Sequence, residues 1–116
     1  MKTKIFCFDL DNVICKTKKN NYKTSKPLKN NIKTINELYK KGYIIKIFTA
    51  RFMGTYNDNS NLATKSAKKL TIKQLKKWDV KFHKVFFGKP SYDIFIDDKN
   101  HNFDKKWRHE LKKKFL

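Results

Sequence analysis

This chain of 116 residues has ten acidic residues against 29 lysines and arginines, and four of the ten acids fall in two tight pairs. Asp9 and Asp11 flank Leu10 directly after an apolar run, and Asp97 and Asp98 follow Ile94-Phe95-Ile96. Clustered carboxylates repel one another, so the pattern calls for a cation or a shared proton. All-oxygen donors favour Mg²⁺, which takes one or two carboxylates and completes its shell with water and substrate phosphate. Thr49 and Lys89 also follow apolar runs, and they add a hydroxyl donor and a point charge suited to an anion. Carboxylates, a divalent cation, a lysine and a threonine around one point suit phosphoryl transfer, in which catalysis is mostly positioning and charge neutralisation. Asp9 can attack phosphorus to give an aspartyl-phosphate. Asp11 can protonate the leaving oxygen and then take a proton from the attacking water. Any one of these residues alone is ordinary turn, cap or surface chemistry; the constellation carries the reading. His83, His101 and His109 show no metal-ligand spacing.

For these residues to meet, the segments before them must lie side by side. Residues 4–8 (KIFCF) have the length and apolarity of a buried strand. After a Lys/Asn-rich loop over 16–26, Pro27 can open a helix in which Leu28, Ile32, Ile35, Leu38 and Tyr39 recur at helical spacing until Gly42. Residues 43–48 (YIIKIF) read as a second strand ending in Thr49-Ala50-Arg51, and a polar loop over 54–61 leads to a second helix carrying Leu62, Leu70, Leu75 and Trp78. Val85 to Phe87 form a third strand and Ile94 to Ile96 a fourth. Phe103, Trp107, Leu111 and Phe115, each four apart, mark a terminal amphipathic helix. This alternation predicts an α/β fold: a Rossmann-like parallel sheet flanked by helices on both faces. Ligands of such sheets bind outside the carboxyl ends of the strands, where all the polar residues named above fall.

The length fits one domain, residues 1–116, and ten Phe within an apolar fraction of 39% supply a core. The formal charge of +19 points by itself to nucleic acid or an anionic surface. Yet only Arg51 and Arg108 are arginines, lysine is scattered along nearly every segment, and phosphate recognition tends to recruit arginine. The charge therefore reads chiefly as the lysine enrichment of an AT-rich coding sequence. No apolar run reaches the roughly 18 to 20 residues of a membrane span, and the first residues meet acids before a signal-peptide core can form. Cys7 and Cys15 are too few for a disulfide framework, and Cys7 sits in an expected buried strand. A cytoplasmic protein without membrane insertion is expected.

Taken together, FDLDNVI (8–14), IFTAR (47–51), FGKP (87–90) and IFIDDK (94–99) resemble, in order, the four motifs of haloacid dehalogenase (HAD) superfamily phosphatases. The likeness covers residues 4–100. It implies that Asp9 is the nucleophile and a metal ligand, and that Asp11 is the general acid/base with its backbone carbonyl on Mg²⁺. Thr49 and Lys89 would hold the transferring phosphoryl group. Asp98 would complete the metal site, favoured over Asp97, which would ligate through water or orient Lys89. A narrower likeness, carried by ARFMGTYNDN (50–59) and LKKWDVKFHKVFFGKPSYDIFIDDK (75–99), is to small phosphatases of bacterial capsule and surface-polysaccharide clusters. That likeness implies a sugar-, polyol- or amino-alcohol-phosphate substrate. Asn12-Val13 stands where many relatives carry Gly-Thr.

No insertion of domain size fits within 12–27 or 52–86, so the site has no separate cap. The loops 15–26, with Tyr22, and 52–61, with Tyr56, are left to shape the pocket. Arg51 is expected to contact the substrate's phosphate or a second anionic group; the competing reading is a structural arginine paired with a carboxylate. An open site also makes a homo-oligomer plausible. Two rival functions remain. One is a polynucleotide 3′-phosphatase or nucleotidase of the same superfamily, which the charge would serve; the other is a non-catalytic nucleic-acid-binding module on this fold.

Overall fold

Three apolar runs become the strands of one parallel sheet in the structure, a computed structural model that describes residues 3–116. The strands are β1 (Ile5–Asp9), β4 (Ile44–Thr49) and β5 (Lys84–Phe87), in the order β1-β4-β5. Phe8 lies beside Ile47, and Ile47 beside Val85, so the three strands are in step at the level where their carboxyl ends begin. Between β1 and β4 the chain forms a short antiparallel pair, β2 (Cys15–Lys16) with β3 (Lys26–Pro27), and then helix α1 (Lys29–Lys40). Pro27 therefore ends that pair, and the helix expected from it begins two residues later. Helix α2 (Ser60–Lys77) links β4 to β5, and α3 (Trp107–Phe115) closes the chain.

Local chemistry explains these boundaries. The Asn59 side chain accepts the Leu62 N–H at 3.2 Å, capping the first turn of α2. Gly42, at φ +104°, takes the left-handed turn that separates α1 from β4. The apolar stripe of α1 (Ile32, Ile35, Leu38) packs with Ile45 and Ile47 of β4, Leu75 of α2 and Leu111 of α3 in one core. Aromatic rings join α3 to β1, with Phe6 against Phe115 at 5.0 Å and Phe8 against Trp107 at 6.1 Å between centroids.

Strand alternation shows which face carries that core. Ile45, Ile47 and Phe8 are buried, whereas Cys7 and Lys84, on the other face, are exposed and Lys46 is half-buried. The expectation of a sheet buried on both faces is met on one, and Cys7 is not the buried strand residue its neighbours suggest.

The expected fourth strand does not form. Ile94 and Ile96 are 80% and 91% exposed, and no strand is assigned over 94–96. A competing arrangement holds this segment. The rings of Tyr92 and Phe95 pack on each other at 5.0 Å and on the Lys89 ammonium at 5.1 and 5.2 Å. The chain then turns at Asp97, whose side chain and carbonyl accept the N–H groups of Lys99 and Asn100. No helix among the described residues is long and apolar enough to cross a membrane.

Candidate active site

Each strand of the sheet delivers a polar residue to the same edge. Asp9 is the last residue of β1, and the N–H of Leu10 donates to its Oδ1 at 2.9 Å. Beyond β5 the chain turns at Gly88, φ +89°, and the Lys89 N–H then donates to the Thr49 carbonyl at 3.1 Å. That bond sets Lys89 against the end of β4, and its Nζ comes to 3.6 Å from Asp9 Oδ1. A Cβ on residue 88 would lie 3.0 Å from Ser60 Cβ, so a side chain at this corner would strain the backbone and press on α2. Lys89 is buried, and three rings surround its ammonium: Phe48, Tyr92 and Phe95, at 5.9, 5.1 and 5.2 Å. The electron-rich ring faces offset part of the cost of burying the charge.

Burial pushes the Asp9 carboxyl above its ordinary range, and the Lys89 ammonium and the Leu10 N–H pull it back. With 39% of the Asp9 side chain exposed, solvent still reaches the group. An electrophile approaching Asp9 would meet a carboxylate whose charge Lys89 balances only in part.

Asp11 lies in a tight turn in which the Ile14 N–H donates to the Leu10 carbonyl and Asn12 takes a left-handed φ of 69°. Its carboxylate is gripped from the protein side. Arg51 Nε donates to both oxygens at 3.1 Å, Arg51 Nη2 to Oδ1 at 3.0 Å, and the Thr17 hydroxyl to Oδ1 at 2.6 Å. The other Arg51 donors go to Thr71 Oγ1 and Gln74 Oε1 of α2 and to Ser25 Oγ. The guanidinium also stacks 5.1 Å from the Tyr22 ring. Its side chain is fully buried and every N–H is taken, so the expected contact of Arg51 with substrate is replaced by the structural pairing.

Thr49 is buried, and its Oγ1 accepts the Arg51 N–H at 3.1 Å. It lines neither cavity at this edge, and its hydroxyl supports the loop by accepting that N–H. Tyr56 hydrogen-bonds Ser66 on α2 at 2.9 Å and is likewise absent from the cavity walls. Tyr22 does reach the wall.

Two cavities open onto Asp9, Asp11 and Lys89. The first, about 370 Å³, is polar and is bounded by Lys19, Asn20, Tyr22, Thr55 and Ser91. The second, about 730 Å³, runs along β1 towards α3 between Phe6, Phe8, Phe103 and Trp107. Asp97 lines this second cavity, whereas Asp98, the residue expected to complete the metal site, does not. Among the described residues no group of three His, Cys, Asp or Glu side chains is close enough to hold a metal ion. Arg51 and Thr17 occupy the Asp11 Oδ1 oxygen, which leaves it no lone pair for a cation.

Sequence reasoning missed Thr17, Ser25, Thr71 and Gln74. Thr71 and Gln74 carried a weak signal, since two polar residues three apart sit on the helix stripe that also holds Ala63, Ala67 and Leu75. Thr17 and Ser25 carried none, because their role depends on how β2 and β3 pair.

The fold recurs in a solved protein. A crystal structure of an MCSG target from Vibrio cholerae matches with a TM-score of 0.79 at 25% sequence identity, over 97% of this chain and 98% of that chain. No family model and no curated protein matches the sequence.

Proposed function

We propose that this protein is an Mg²⁺-dependent phosphomonoester hydrolase of the HAD type, acting in the cytoplasm on a small sugar-, polyol- or amino-alcohol-phosphate for capsule or surface-polysaccharide synthesis. The observation that carries the reading is the Asp9 carboxylate 3.6 Å from the buried Lys89 at the carboxyl edge of a parallel sheet, with Asp11 two residues on. The polar cavity supports the substrate class. About 370 Å³ bounded by Lys19, Asn20, Tyr22, Thr55 and Ser91 suits a phosphate with a small hydroxylated remainder.

In this mechanism an Asp9 oxygen attacks phosphorus while Lys89 offsets charge on the phosphoryl oxygens, and the bond from phosphorus to the ester oxygen breaks. Asp11 gives its proton to that departing oxygen. A water then attacks the aspartyl-phosphate, Asp11 takes the water's proton, and inorganic phosphate leaves with Asp9 restored. The donor chemistry suits a hard cation: Asp9 and Asp97 both line the larger cavity, and Mg²⁺ needs only one or two carboxylates with water and substrate oxygens. These two residues would hold it, and it would supply further neutralisation of phosphoryl charge.

The test is phosphate release in Mg²⁺ from sugar, glycerol and amino-alcohol phosphates, nucleotides and a 3′-phosphorylated oligonucleotide, with Asp9→Asn as blank. Turnover of a small polyol or sugar ester, abolished in a folded Asp9→Asn protein and by EDTA, is the expected result. Turnover that survives Asp9→Asn overturns it.

A further inference from the structure

We infer that Arg51 is a positioning residue that fixes which oxygen of Asp11 handles the proton; this rests on the phosphatase reading. The two oxygens of Asp11 differ sharply. Oδ1 accepts from Arg51 Nη2 at 3.0 Å, Arg51 Nε at 3.1 Å and Thr17 Oγ1 at 2.6 Å, with the Cys15 thiol at 3.5 Å. Among the described residues Oδ2 receives only the shared Arg51 Nε–H at 3.1 Å. A carboxylate oxygen has room for about two donors. Oδ1 is therefore saturated, and Oδ2 is the oxygen that gives the proton to the leaving group and takes it back from water.

The guanidinium that, with the Thr17 hydroxyl, imposes this asymmetry is itself fixed from three directions. Gln74 and Thr71 hold Nη1 from α2, Ser25 meets Nη2 from the β2–β3 side, and Tyr22 lies across its plane. Gln74 closes the ring by donating Nε2–H to the Tyr22 carbonyl at 2.7 Å. A planar fork with all its donors committed can hold a carboxylate in one rotation, which a lysine's rotatable ammonium cannot do. The cluster ties the loop carrying Tyr22 and the helix α2 to the orientation of one carboxylate.

A residue that only stabilised the fold would affect every substrate alike. A residue that orients the proton donor should matter most where the leaving oxygen needs a proton. Glycerol phosphate leaves as a strongly basic alkoxide unless protonated, whereas para-nitrophenyl phosphate leaves as a stable phenolate. In Arg51→Met, kcat for glycerol phosphate should fall about 100-fold while that for para-nitrophenyl phosphate falls less than about 5-fold, given the usual worth of general acid catalysis. Arg51→Lys should retain the same imbalance. Where loss of Arg51 unfolds the chain, Gln74→Leu applies the test with the guanidinium in place, and a loss at least about threefold larger on glycerol phosphate is expected, a small fraction of the full acid effect. Equal losses on both esters in the folded variants, or no loss on either, overturn the inference. Asp11→Asn run in parallel separates the two levels. If it shows the leaving-group imbalance and the Arg51 and Gln74 variants do not, only the positioning role fails; if it shows none, or if the wild type hydrolyses neither these esters nor any phosphate of the panel above, the phosphatase reading fails with it.

Discussion

The two walls of the candidate site are built on different terms. On one side Arg51 is 2% exposed and every polar group around it is paired, and no buried side-chain nitrogen or oxygen among the described residues lacks a partner. On the other side, residues 91–106 carry no regular secondary structure and present Ile94, Ile96 and Phe103 to solvent. The first wall resists movement because each displacement leaves a buried polar group unsatisfied. The second is held near Lys89 by two rings and a turn. Asp11 and Arg51, which the proposed mechanism uses for proton transfer, are thus on the rigid wall, and Asp97 rides on the loose one. Loops that meet ligands are commonly drawn from the least stable parts of a structure.

This contrast can be broken by measurement. The largest effect belongs to Arg51→Met, which leaves the Asp11 carboxylate without a countercharge and Gln74 Oε1 without a donor. Urea unfolding should show a loss of about 3 kcal/mol, at the low end for a broken buried pair because Asp11 is 21% exposed. A loss below about 1 kcal/mol, the scale of a surface pair, would mean the wall is not rigid in the sense described. Next comes Gly88→Ala, which forces a Cβ into a left-handed corner 3.0 Å from Ser60 and should cost more than about 1 kcal/mol. Its turnover should fall further than its stability implies, since Lys89 moves with the corner; an unchanged kcat and Tm would sever Lys89's position from that corner.

A smaller, pH-dependent effect concerns Asp9. Its carboxyl is raised above 3.8 in the folded protein, so the folded state binds the proton more tightly than the unfolded state. The resulting stability is present below that value and lost as pH rises through the folded pKa. In chelated protein, the stability of wild type relative to Asp9→Asn should therefore decline with rising pH above 3.8 and then level. A relative stability that rises with pH would show that Lys89 outweighs burial. The smallest expected effect is Ile96→Asp, within about 0.5 kcal/mol of wild type, as for surface changes generally. A cost of 2 kcal/mol or more, the scale of a lost core contact, would show that this residue is packed and that the two walls are equally built.

The part of this organisation that the sequence made legible is the part that depends on local pattern. β1 and β4 are short apolar runs that any compact arrangement must bury, and Asp9 and Lys89 follow from where such runs stop. Arg51 was visible as an unusual residue, but its partners lie 20, 23 and 40 positions away, and no spacing rule links Gln74 or Asp11 to it. Ile94-Phe95-Ile96 has the composition of a strand, yet a strand is defined by a neighbour. Here Tyr92 and Phe95 find the Lys89 ammonium instead. The preference for Asp98 over Asp97 rested on their places after that strand, which the segment does not form.

The missing side chain at position 88 has a consequence for recognising descendants of this protein that have lost the Asp9–Lys89 pair. A lineage could keep Asp9, Asp11, Arg51 and Lys89 unchanged and still shift the lysine through one added methyl group, because a Cβ at this positive-φ corner strains the backbone and crowds Ser60. Inspection of the reactive residues alone would pass such a sequence as competent. In screening relatives, residue 88 is therefore as diagnostic as the two charges it brings together.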